Sequence, residues 1–146
     1  HLFSNKRWKF IKSRDDNFEY LKKNIPPKFD IIYLDSLHEA KHVEKIFLYY
    51  YNMLKIGGIF FIDDISWLPY LKKNERDNFY CEVNNKETFE KLIEIYNSNT
   101  ESFDISFTFV SSGMCKILKK KEDLIKTKKI FLREFSFKNM IRKLLK

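Results

Sequence analysis

The chain has 146 residues, 44% hydrophobic and 17% aromatic, enough for one domain with a packed core and too few for two ordinary ones. Its formal charge of +8 is unevenly spread: residues 1–118 hold 17 Lys and Arg against 17 Asp and Glu, and residues 119–146 hold 11 against 3. A neutral body argues against a fold built around a polyanion. No apolar run approaches the length of a bilayer crossing, His1 to Lys12 lack the order of a signal peptide, and Cys81 and Cys115 are too few for a disulfide framework or a four-thiolate zinc site.

A cytoplasmic protein with free thiols is therefore expected, and the start on His1 rather than Met suits a piece of a longer protein. Arg7 to Ser13 alternates polar and apolar side chains, which predicts a strand with one face in a core. Asp15 or Asp16 is then placed to cap a short helix, closed by Ile25-Pro26-Pro27 because proline rejects the helical conformation in the residue before it. Phe29 to Leu34 is a nearly continuous run of β-formers, the pattern of a parallel strand covered on both faces, and it ends at Asp35.

From about Glu39 the period changes, with Val43, Ile46, Phe47, Tyr50 and Leu54 on one helical face up to a predicted turn at Gly57-Gly58. Ile59 to Ile62 is a second apolar strand, ending in Asp63-Asp64. A strand, helix and strand in this order form a right-handed crossover with both strand ends on one edge of a parallel sheet. Asp35, Ser36, His38, Asp63 and Asp64 should therefore meet, at the edge where open α/β sheets bind ligands.

A loop is predicted over Ser66 to Asn84, where Trp67 and Tyr70 could line a pocket as readily as pack. A second amphipathic helix follows, capped at Asn84 or Asn85, with Phe89, Leu92, Ile93 and Tyr96 inward. Asp104 to Val110 and Met114 to Leu118 read as an antiparallel hairpin around Ser111-Ser112-Gly113. Phe137, Met140, Ile141, Leu144 and Leu145 lie at helical spacing behind a Ser136 cap, with Lys and Arg opposite. That tail fits a helix docked on the sheet, the favoured reading, and also a membrane-surface helix or a phosphate-contacting arm.

Three carboxylates gathered at two strand ends repel one another unless a cation or a donor-rich ligand offsets them, and Mg²⁺ suits oxygen-only ligation with open positions. Plainer duties compete: Asp35 or Ser36 could cap the following helix, and Asp63-Asp64 could start a solvated loop. His38-Glu39-Ala40-Lys41-His42 also spells the H-E-x-x-H pattern of zinc peptidases. That chemistry needs both imidazoles on an established helix and a third ligand downstream; here the first follows a strand directly, and no His lies beyond His42. The Tyr49-Tyr50-Tyr51 run and Phe60-Phe61 fall in periodic or buried segments and read as core.

The stretch from Phe29 to Ile65, with Asp35, His38, Gly57-Gly58 and Asp63-Asp64 in place, resembles the second half of class I S-adenosylmethionine-dependent methyltransferases, especially the sugar and macrolide O-methyltransferases. The likeness covers roughly residues 7 to 120. It implies an α/β, Rossmann-like methyltransferase sheet, C-terminal portion, ending in an antiparallel hairpin over residues 1–120, with a basic helical extension over 121–146. It further implies Asp35, Asp63 and Asp64 as ligands of Mg²⁺, His38 as general base, and Asp15, Asp35 and Ser36 on the side of the cofactor S-adenosylmethionine. The acceptor would be a hydroxyl of a small molecule, a sugar or glycoconjugate; a nucleic-acid methyltransferase and a non-catalytic, partner-binding remnant are the alternatives. Two features depart from the family. Ser13-Arg14 replaces the usual Gly-Asp before the adenine-side acid, and the glycine-rich cofactor loop is missing, since Gly57, Gly58 and Gly113 are the only glycines.

Overall fold

The computed structural model describes residues 7–67, 79–129 and 136–145. Its first element is not the predicted strand, because Arg7 to Ser13 form no ladder. Alternation supplies a face, but a strand also needs a hydrogen-bonding partner, and none of the described strands pairs with this segment. Helix α1 (Phe18–Asn24) follows and ends at Ile25, whose backbone is extended ahead of Pro26. Its N-cap is Asn17, with no side-chain cap. Asp15 and Asp16 do not cap it, because Asp15 pairs with His42 and Asp16 with Arg14 and Lys45.

Strand β1 (Phe29–Leu34) runs parallel to β2 (Leu54–Asp63), with α2 (Ala40–Tyr51) as the crossover. β2 begins five residues before the predicted Ile59. Gly57-Gly58 is therefore an irregularity within the strand, between the pairs Phe29 to Leu54 and Ile31 to Ile59, and not the turn into it. Gly57 sits at φ +79, and a Cβ on Gly58 would come within 2.9 Å of Leu54 Cγ and 3.0 Å of the Asp30 carbonyl.

Helix α3 (Phe79–Asn97) begins inside the segment predicted to be loop. Asn85 does not cap it but lies buried within it, donating from Nδ2 to the Ser66 carbonyl at 2.8 Å. Strands β3 (Phe103–Thr108) and β4 (Met114–Lys119) form the predicted hairpin, and β4 inserts antiparallel beside β2, giving the order β1-β2-β4-β3. At the hairpin turn a Cβ on Gly113 would meet Ser66 at 2.6 Å, so only glycine lets the turn pack there.

The core lies on one side of the sheet, where Val43, Ile46, Phe47 and Tyr51 of α2 and Leu92 and Ile95 of α3 cover Phe60, Ile62, Phe103, Cys115 and Ile117. Tyr51 and Phe60 are core, as predicted, whereas Tyr49 is half-buried and stacks on Phe18. The two-sided cover expected of β1 is not present among the described residues, since Ile31 is 62% exposed and Tyr33 52%. Helix α4 (Phe137–Leu144) takes the predicted cap, Ser136 Oγ accepting from the Asn139 N–H. It is not docked on the sheet: none of its residues is buried.

One buried cation ties the ends of the core together. Lys119 Nζ, 1% exposed as a residue, donates to the carbonyls of Tyr51 and Leu54 at 3.0 and 2.8 Å and to Glu122 at 2.7 Å. Replacing it with Met strands two carbonyls that now have a charged donor, a loss of about 2–4 kcal/mol. Thermal unfolding followed by circular dichroism should show Lys119→Met melting roughly 6–13 °C below the wild type; a change of a degree or two would mean the clamp is dispensable.

Candidate functional site

Leu34 stands opposite Ile62 in the parallel ladder, so the residues that follow leave the sheet side by side at its carboxyl edge. Asp63 closes β2, and Asp64 has φ +55, the left-handed region that aspartate tolerates better than most residues. That turn aims the two side chains differently. Asp63 Oδ2 accepts from Tyr33 Oη at 2.5 Å, and its Oδ1 accepts from the Asp64 N–H at 2.8 Å and Ser112 Oγ at 3.1 Å. Burial pushes the Asp63 carboxyl up, but these three donors, with a smaller electrostatic contribution from the nearby His38, outweigh it, so its pKa lies below the usual value. Tyr33 shows the other side of the bond: donation to Asp63, with some desolvation, pushes the phenol up to about 12.

Asp35 and Asp64 face the imidazole of His38. His38 Nε2 lies 3.2 Å from Asp64 Oδ2 and 3.7 Å from Asp35 Oδ1, with its side chain 30% exposed. The structure thus brings together Asp35, His38 and Asp64 at the strand edge, with Asp63 beside them but engaged elsewhere. A base whose ring is oriented by carboxylates, and still open to solvent, has the setting of a proton acceptor.

A second polar cluster adjoins the first. His42 Nε2 is 3.0 Å from Asp15 Oδ2 and 3.5 Å from Ser36 Oγ. Burial raises the Asp15 pKa, hydrogen bonds from Ser36 and His42 lower it, and the balance is below the usual carboxylate value. Both partners meet the same ring nitrogen, so this is not the relay of a serine hydrolase, which uses opposite nitrogens. Tyr50 Oη donates to the Asp15 carbonyl at 3.0 Å and fixes the segment against α2. Asp15 and Ser36, both expected on the cofactor side, are therefore brought into one cluster.

His38 and His42 turn to separate partners, and among the described residues no group of three or more His, Cys, Asp or Glu is arranged to hold a metal ion. The zinc-peptidase spelling has no matching site. Trp67 packs 6.0 Å from Phe89, with Lys86 over its ring, as a loop aromatic filling space. Tyr70 lies outside the described residues. A cavity of about 430 Å³ lined by Ile25, Pro27, Tyr49 and Met53 opens beside the starts of β1 and β2, the opposite end of the sheet from the acids.

Against known proteins, no family model matches the chain and no curated protein does. Solved structures do. The SAH-bound Podospora anserina methyltransferase PaMTH1 aligns at TM-score 0.58 and 20% identity, covering 80% of this chain and 51% of its own. A Staphylococcus aureus protein assigned as a caffeoyl-CoA O-methyltransferase aligns at 0.52 and 14%, covering 75% and 50%. The fold is that of a class I methyltransferase. It is a Rossmann-like α/β sheet, and the chain spans about half the length of these two structures. The MycE methyltransferase of the mycinamycin biosynthetic pathway, solved with Mg, SAH and mycinamycin VI, aligns at 0.49 and 20%, covering 77% and 32%.

Within the methyltransferase fold, the three-aspartate Mg²⁺ set does not converge as it stands, because Asp63 already accepts three hydrogen bonds. Asp35 and Asp64 turn oxygens toward one point, but His38 Nε2 occupies it. Sequence reasoning missed Tyr33, Ser112 and His42. A tyrosine two residues before the strand-ending Asp35 was the available signal, since a hydroxyl in an apolar run needs an acceptor nearby. The wiring makes a spectroscopic prediction. By ¹³C NMR, the Tyr33 phenol should ionise near 12 in the wild type and fall toward the ordinary value of about 10 in Asp63→Asn; equal values in both proteins would show that the bond does not form.

Proposed function

We propose that this chain carries the acceptor half of a methyltransferase active site, moving the methyl group of S-adenosylmethionine to a hydroxyl of a small molecule, with a sugar or glycoconjugate as the substrate class. One observation carries the reading: an imidazole held between Asp64 and Asp35 at the carboxyl ends of two parallel strands. The Staphylococcus aureus structure of this fold assigned as a caffeoyl-CoA O-methyltransferase supports it.

The cofactor supplies an electrophilic methyl group, and the rest falls to the protein. His38 takes the proton of the acceptor hydroxyl at Nδ1, the ring nitrogen opposite the one that faces Asp64 and Asp35, a role an imidazole fills near neutral pH. Asp64, at 3.2 Å, stabilises the imidazolium that forms and holds the ring's position. Asp35 adds a second, weaker contact at 3.7 Å. Asp63, fixed by Tyr33, Ser112 and the Asp64 N–H, keeps the left-handed turn that points Asp64 at the ring. Asp15, Ser36 and Asp35 form the cofactor-facing side. If Mg²⁺ assists, Asp35 and Asp64 would have to turn from His38 to hold it, and its charge would lower the pKa of the acceptor hydroxyl. Displacement at methyl demands alignment more than acid strength, so the rigidity of this edge matters more than any single pKa.

His38→Gln, made in a protein that includes the cofactor-binding half, tests the assignment. It should lower kcat for methyl transfer by roughly 10²–10⁴-fold, while the affinity for S-adenosylhomocysteine measured by calorimetry stays within about threefold. A wild-type protein that includes the cofactor-binding half and draws no heat from S-adenosylhomocysteine, with Mg²⁺ or without, contradicts the reading.

A further inference from the structure

The surface of the described chain has one element whose design the methyltransfer reading leaves unused. Helix α4 carries Phe137, Met140, Ile141, Leu144 and, just past its end, Leu145 along one arc, and Lys138, Arg142 and Lys143 along the opposite arc. The apolar arc is in water: Phe137 is 79% exposed, Leu144 85% and Leu145 81%. The polar arc contains no acid at all, since residues 135–146 include four Lys or Arg and no Asp or Glu. Leading into it, Lys126, Lys128 and Lys129 make no salt bridge among the described residues, whereas Lys119, Lys120 and Lys121 each pair with an acid.

We propose that α4 docks the protein on an anionic lipid surface, lying in the plane of the headgroups with its apolar arc in the acyl boundary. Two properties have to be satisfied at once, an apolar stripe that needs a non-aqueous phase and a face of uniform positive charge that needs anions. Nucleic acid would meet the charges but leave five apolar side chains in water. A second copy would meet the apolar stripe but bring two sets of cations together. The boundary of an anionic bilayer satisfies both. Eight helical residues cannot cross a bilayer, and no helix among the described residues is long and apolar enough to do so. Attachment at the surface is what this length allows, and it is reversible, because one short helix buries little area.

The test is flotation of the 146-residue protein with vesicles of phosphatidylcholine, with and without about 30% phosphatidylglycerol. The protein should float with the anionic vesicles at about 0.1 M salt, stay with the soluble fraction beside neutral ones, and lose binding as salt rises. Two variants separate the contributions: Ile141→Ser with Leu144→Ser, and Arg142→Glu with Lys143→Glu. Each should lower partitioning by about tenfold or more while the melting curve of the body is unchanged. Failure to float with anionic vesicles overturns the proposal. So does retention of binding by the serine variant, with displacement by RNA, which would make the tail a phosphate-contacting arm. A concentration-dependent dimer in sedimentation, abolished by the serine variant and indifferent to lipid, would assign the stripe to self-association instead.

Discussion

The parallel ladder between β1 and β2 is the constraint on which the site depends. Side chains alternate along a strand, so the pairing of Leu34 with Ile62 decides which residues emerge together at the carboxyl edge. A slip of one residue would send Asp35 and Asp63 to opposite faces. The register is held by the Gly57-Gly58 irregularity, where the strand absorbs extra residues at φ +79 and passes close over the Asp30 carbonyl. Below that point the ladder is regular up to the two acids.

Bringing three carboxylates to one edge is electrostatically unfavourable, and the fold answers each separately. Asp63 is met by three donors and becomes part of the frame. Asp35 and Asp64 share an imidazole and retain exposure, 61% and 36% of their side chains. The division separates the two members of an Asp63-Asp64 pair that looks equivalent on paper, one bonded into the frame and the other turned to the imidazole. A parallel division is seen in the neighbouring cluster, where His42, 9% exposed, is held by Asp15 while His38 stays accessible.

Much of this was legible in the residues. Phe29 to Leu34 was readable to the residue because a run of β-formers bounded by Pro27 and Asp35 allows no other element. The edge position of the acids followed from the crossover rule. What could not be read depended on partners distant in sequence. Arg7 to Ser13 has the alternation of a strand, but pairing decides strands, and none of the described strands offers it an edge. Gly57-Gly58 looked like a turn because glycines mark turns and bulges alike. Asn85 looked like a cap, whereas its amide is used on the Ser66 carbonyl from inside a helix. The saturation of Asp63 required Ser112, contributed by a hairpin 49 residues away. The tail helix was predicted with its cap, yet amphipathicity says only that one face avoids water, not which surface receives it.

The most direct test of the central claim is a double-mutant cycle at His38 and Asp64, read in the rate of methyl transfer. If the strand edge makes these two residues act as one unit, His38→Gln with Asp64→Asn together should be no slower than His38→Gln alone, within about threefold. Losses that multiply, each variant contributing its full factor independently, would mean that the imidazole and the carboxylate serve separate ends and that the site is not the one described.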